Sequence, residues 1–300
     1  MSRRADRPPA DRRRDEGRHG AGRPVAVGAD GSAESLAAVE WAGAEAVARD
    51  VPLWIVCAQE PARSGDRNTW SHDQLHAAHR LAARLYPSLD VTEDAVCEAP
   101  AKALLTVAEE AGLLVLGSCG LGRAEGFVLG SVGLSVIAHA RLPVVAVRGR
   151  MPAGAAAETG PVVAGVDLSR GSDEVLDFAF RTASAHGRNL RVAHAWSPHS
   201  LYSCPSALPE PRATVQAELR AKQSLARLLE PWRERFPEVD TEIRAEGGAA
   251  APYLLQVSTD AALLTVGRRT RGHPFPTRIG PVAHALLHHS PRPVAVIPHE

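Results

Sequence analysis

Pro24-Val-Ala-Val-Gly-Ala-Asp-Gly-Ser32 returns 137 residues later as Pro161-Val-Val-Ala-Gly-Val-Asp-Leu-Ser169. The same offset carries Leu53-Trp-Ile-Val-Cys-Ala-Gln59 onto Leu190-Arg-Val-Ala-His-Ala-Trp196. Farther along, Leu113-Leu-Val-Leu-Gly117 matches Leu263-Leu-Thr-Val-Gly267 and Pro143-Val-Val-Ala-Val147 matches Pro293-Val-Ala-Val-Ile297, both at an offset of 150. The growth from 137 to 150 is a 13-residue insertion in the second copy, in the Pro-rich stretch from Ser197 to Pro211. Self-similarity on this scale means one domain written twice, which also accounts for the 300-residue length.

Within each copy, short apolar runs alternate with amphipathic stretches. Val25–Gly28, Leu53–Ala58, Leu113–Gly117 and Val144–Val147 are continuous and rich in β-branched residues, as strands buried on both faces are. Val91–Val96 reads as a weaker strand. Ser32 is placed to cap a helix over Ala33–Arg49, where Leu36, Val39, Gly43 and Val47 recur every three or four residues. His72–Tyr86, Ala101–Glu110 and Val132–Ala140 read as three more helices, the last stopped by Pro143. Strands separated by helices imply an α/β fold with a parallel sheet and helices on both faces.

Residues 1–22 carry seven arginines and four acids with almost nothing apolar, and are expected to form a disordered Arg-rich tail. The reading divides the rest into a domain at 23–149, a linker at 150–160 and a second domain at 161–300. Basic and acidic residues balance at 34 each, so no overall field draws in nucleic acid or an anionic membrane. No apolar run approaches a membrane span and no secretory leader is recognisable, which gives the expectation of a cytoplasmic protein. The four cysteines form no C-x-x-C pair. The thirteen histidines include no HExxH spacing, and adjacent His288 and His289 point about 100° apart on a helix, so no metal site is expected.

Open parallel sheets bind ligands where the carboxyl ends of strands lead into helices. Two such loops of the first copy are informative. One is Gly28-Ala29-Asp30-Gly31-Ser32, which places a carboxylate after the first strand. The other runs from Gly117 to Ser131 and holds five glycines in its first 14 residues. It lacks the Gly-Lys-Ser/Thr of a Walker loop, and Gly28-x-x-Gly31 lacks the GxGxxG spacing of dinucleotide folds. A tight turn and a phosphate cradle at the start of the next helix both fit these glycines.

The pattern Gly117-x2-Gly120-x9-Gly130-Ser131, the strand ending in Asp30, and GSVGLSVIAHARLPVVAV before the last strand together resemble the universal stress protein family from Pro24 onward. The resemblance implies two tandem Rossmann-like domains of the adenine nucleotide alpha hydrolase-like type. Each would be a five-stranded parallel sheet of order 3-2-1-4-5 with helices on both faces. It implies ATP, carried with Mg²⁺, as the ligand of the first domain. Ala29, Asp30 and Ala58 would lie by the adenine. Leu116, Gly117, Ser118, Gly120, Gly130, Ser131 and Val132 would line the ribose and phosphates. It also implies that the last strands of the two domains pair as an intramolecular pseudo-dimer, and it leaves a homodimer open.

Two positions of the first copy depart from the family pattern. Gly133 stands where Ser or Thr often supplies a phosphate donor, and Cys119 replaces a frequent polar or basic residue, with Arg123 near enough in sequence to supply charge. The second copy departs further. Thr270 replaces the second glycine and Pro281 replaces the serine, which deletes a hydroxyl and a backbone N–H. Arg268, Arg269, Arg271 and Arg278 remain there as a basic loop. Cys57 and its counterpart His194 read as core residues at the sheet end, and no His or Lys base stands at motif spacing from Ser131. The expectation is therefore a nucleotide-dependent regulator acting on an unidentified protein partner, not an enzyme of high turnover. A nucleotide-free interaction scaffold is the alternative.

Overall fold

The computed structural model describes residues 22–60, 67–118, 129–149, 160–168, 172–196, 211–270 and 279–300. The Arg-rich stretch before Ala21, the loop centre with Cys119, Gly120 and Arg123, and Arg271 and Arg278 lie outside the described residues. The first half runs β1 (Val25–Gly28), α1 (Ala33–Arg49), β2 (Leu53–Ala58), α2 (Arg67–Leu85), β3 (Val91–Val96), α3 (Pro100–Glu110), β4 (Leu113–Ser118), α4 (Ser131–His139) and β5 (Val144–Arg148). The second half runs β6 (Val162–Gly165), α5 (Asp173–Ala185), β7 (Leu190–Trp196), α6 (Pro211–Arg235), β8 (Thr241–Gly247), α7 (Ala250–Val257), β9 (Leu263–Arg269), α8 (Pro281–His289) and β10 (Val294–His299). Helix α1 starts where Ser32 predicts, because the Ser35 N–H donates to Ser32 Oγ at 3.1 Å. Helix α2 starts five residues earlier than the apolar spacing indicates, since its first turn is polar and carries no periodicity.

All ten strands form one sheet of order β3-β2-β1-β4-β5-β10-β9-β6-β7-β8. Each half is parallel with order 3-2-1-4-5, and the halves meet where β5 pairs antiparallel with β10, Val294 opposite Ala146 and Val296 opposite Val144. Side chains alternate across a strand, so this junction feeds two apolar layers. Val145 and Ala295 join the layer beneath α1, α2, α5 and α6, and Val144, Ala146, Val294 and Val296 join the layer beneath α3, α4, α7 and α8. Both layers run unbroken across the two halves.

Polar contacts lock the junction on both faces. Glu45 of α1 is 1% exposed, and its Oε2 lies 2.7 Å from His186 Nε2 at the end of α5. Arg49 Nε donates to the other oxygen of Glu45 at 2.6 Å, its Nη2 donates to Thr182 Oγ1 at 3.1 Å, and its guanidinium lies 5.1 Å over the Phe178 ring. On the opposite face Arg148 donates to the Leu287 carbonyl at 3.1 Å, and Arg268 donates to the Ala140 carbonyl. Both carbonyls close helices, where cations are favoured. Burial pushes Arg148 down to about 10, which leaves it charged at neutral pH.

Candidate functional site

The chain leaves β1 toward β2 on one side, and β4 flanks β1 on the other, so a topological switch point falls at β1/β4. Strand β1 stops at Gly28, opposite Val56 and Leu116. Its neighbours overrun it by two residues each, Cys57–Ala58 in β2 and Gly117–Ser118 in β4. The result is a crevice over the end of β1, walled by the loop 29–32 and facing the start of α4.

Asp30 stands at the centre of that loop. Its Oδ1 accepts from the Ser32 N–H at 3.0 Å and from Ser32 Oγ at 2.6 Å, while the Asp30 N–H donates to Ser35 Oγ at 3.3 Å. Partial burial pushes its carboxyl up, but these hydrogen bonds outweigh burial and hold it below the ordinary carboxylate value. It is ionised at neutral pH, and its Oδ2 makes no hydrogen bond with a described residue. Ala29 is buried, with its N–H on the Val56 carbonyl at 2.8 Å, and half-buried Ala58 pairs with Val96 on β3. Cys57 is buried beneath; burial and then the Asp30 charge push its thiol up, so it is no nucleophile.

On the opposite wall, Gly117 packs under the first turn of α1. A Cβ there would stand 2.6 Å from the Glu34 carbonyl carbon and 2.7 Å from the Ser35 nitrogen, so only glycine lets this helix meet β4. Leu116 is buried in the apolar layer. Ser118 is buried too, and its hydroxyl donates to the Val147 carbonyl at 3.2 Å, which commits it to the sheet instead of the crevice. Gly130 is the N-cap of α4 with no side-chain hydrogen bond to the helix, and a Cβ on it would meet nothing within 4 Å. Ser131 is exposed and Val132 half-buried in the first turn. Among the described residues no side chain caps the amides of this turn, which with their share of the helix dipole suit an anion. Gly133 faces inward, where a Cβ would press on Leu129 at 2.9 Å. Its departure from Ser or Thr thus bears on packing in this chain.

In the second half the corresponding groups are engaged by other residues of the chain. Arg269 Nη2 lies 3.3 Å from Asp167 Oδ2, the carboxylate that matches Asp30. Thr270 continues the strand: its N–H and Oγ1 donate to the His299 carbonyl at 2.8 and 2.9 Å. The His299 ring stands where a Cβ on Gly267 would be, 2.7 Å away. Helix α8 begins with Pro281, so its first turn has one amide fewer. Arg268, expected as part of a basic loop, is buried and spent on the Ala140 carbonyl across the junction.

The sequence pattern of the Universal stress protein family matches residues 22–148 and again 158–298. The chain belongs to the universal stress protein family. A universal stress protein of Mycobacterium bovis is 31% identical over 287 residues, covering 91% of this chain and 96% of its own. The crystal structure of a universal stress protein from Archaeoglobus fulgidus superposes with a TM-score of 0.70 at 16% identity, covering 92% of this chain and 98% of that one. A universal stress protein crystallised in complex with cAMP is 36% identical and covers 43% of this chain and 99% of its own, with a TM-score of 0.37.

Sequence reasoning missed one residue of the first crevice. Gln74, from α2, lies against Gly31. No motif marks it, because only the packing of α2 on α1 brings it there. Among the described residues, no group of three or more His, Cys, Asp or Glu is placed to hold a metal ion, and no helix is long and apolar enough to cross a membrane.

Proposed function

We propose that this universal stress protein binds ATP in the crevice of its first half and uses occupancy of that site as a signal. The observation that carries the reading is the start of α4 at Gly130, which no described side chain caps, at the same end of the sheet as the Asp30 carboxylate. Phosphates suit the α4 amides and the Ser131 hydroxyl, and Asp30 suits the exocyclic amine of the base. Mg²⁺ would enter on the nucleotide, coordinated by its phosphates and water. The chain's own residues bind and orient; no described group stands ready to activate a water molecule. The Arg269–Asp167 pair and Pro281 at the helix start favour the scaffold reading for the second half, with the nucleotide state of the first half biasing a surface that a partner protein reads.

Calorimetric titration of ATP with Mg²⁺ into the full chain tests this. One site per chain, lost on Gly130→Val, is the expected result. Absence of heat from the wild-type protein, with no co-purified nucleotide, would replace it with the nucleotide-free scaffold. Phosphate release above a no-protein blank would add slow hydrolysis.

A further inference from the structure

Gly31 is the left-handed residue of the loop after β1, at φ 79°. The carboxamide of Gln74 lies directly on it: a Cβ at residue 31 would fall 1.5 Å from Gln74 Oε1 and 2.1 Å from its Cδ. The glycine is required by its backbone angle, and having no side chain it leaves room for the carboxamide seated above it. Gln74 is held in this place by its neighbour Leu75, which is 3% exposed in the apolar layer and fixes the register of α2. Yet among the described residues the Gln74 amide has no hydrogen-bond partner. A half-buried amide, with two donors and a carbonyl acceptor and no hydrogen bond to a described residue, thus lies over the loop that carries Asp30.

The second half lacks this arrangement. By the same offsets, Leu168 stands for Gly31 and Ser224 for Gln74. The device belongs to the half whose crevice is open.

We infer that Gln74 reads the base of a purine nucleotide in the first-half crevice and selects a 6-amino over a 6-oxo ring. The N6/N7 edge of adenine presents an amine donor beside a ring-nitrogen acceptor, and a carboxamide matches that pair with two hydrogen bonds. A 6-oxo purine puts an acceptor where the amine was. It leaves the Gln74 carbonyl unpaired and faces the Asp30 carboxylate with a second acceptor. This assignment rests on the nucleotide reading above and extends it to the choice of base.

The test is titration of ATP and ITP, which differ at position 6, into the full chain and into Gln74→Leu and Gln74→Ser, with thermal unfolding to check that each variant is folded. The wild-type protein is expected to prefer ATP. Both variants should lower that preference about tenfold, the worth of one hydrogen bond at a desolvated site, and leave ITP affinity within about twofold. An unchanged ATP/ITP ratio in folded variants, or equal weakening of both nucleotides, overturns the assignment and makes Gln74 a packing residue. If the wild-type chain takes up neither nucleotide, the nucleotide reading itself falls and the base assignment with it.

Discussion

At the switch point of the first half, the Asp30 carboxylate is bonded only to its own loop among the described residues, and α4 opens on a glycine with no described atom within 4 Å of its Cβ position. At the matching point of the second half, Asp167 is taken by Arg269, Thr270 by the His299 carbonyl, and the helix opens on Pro281. The strands, their order and the apolar layers are the same in both halves. Loop substitutions can thus change the strand-end geometry of a Rossmann-like half and leave its sheet intact, because the sheet draws its stability from layers that the loops do not enter.

Variants can break or sharpen this comparison. The comparison treats the two halves as one body, and Glu45 secures that junction. Glu45→Ala should cost about 3–5 kcal/mol in denaturant unfolding, because it strands His186 and Arg49 beside a buried hole; a cost below about 1 kcal/mol would mean the halves are held by the sheet alone. The pH dependence has a definite sign. Burial pushes the Glu45 carboxyl up, but the hydrogen bond from His186 and the Arg49 charge outweigh it and hold it below its ordinary value of 4.5. Its contribution is therefore complete above pH 4.5 and is lost as pH falls through the lower folded-state value. The stability gap between wild type and Glu45→Gln should shrink as pH falls through that lower value. A gap that does not shrink there would show that the carboxylate charge adds nothing to the junction.

The paired glycines give the next largest effect. Gly117 meets backbone, whereas Gly267 meets the His299 ring, which can turn aside. Gly117→Ala should cost about 1–3 kcal/mol and Gly267→Ala clearly less; equal costs would remove the asymmetry assigned to the two crevices. Gly130→Val has open space for its side chain, so its unfolding free energy should stay within about 0.5 kcal/mol of wild type while ATP binding disappears. Retained binding would place the ligand elsewhere. The smallest effect is expected from Arg269→Ala. It removes an ion pair whose side chains are both more than half exposed, so stability should shift by less than about 1 kcal/mol. No second nucleotide site should open, because Pro281 and the His299 ring remain; a second equivalent of ATP in calorimetry would show that Arg269 alone closes that half.

The duplication, nearly every strand boundary of the first half and the N-cap at Ser32 were legible in the sequence, because each rests on local patterning or on a repeat; the sheet order followed only from the family resemblance. The sequence also marked Asp30, Gly117 and Gly130 as special. The tertiary structure decided what each does: Gly117 admits α1, Ser118 turns into the sheet, Gly133 packs on Leu129, and Arg268 crosses the junction. It alone brought Gln74 onto Gly31 and His186 onto Glu45, 141 residues away in sequence. Contacts of that kind depend on how whole helices pack across a twisted sheet, and helix periodicity says which face is buried without naming the residue it meets.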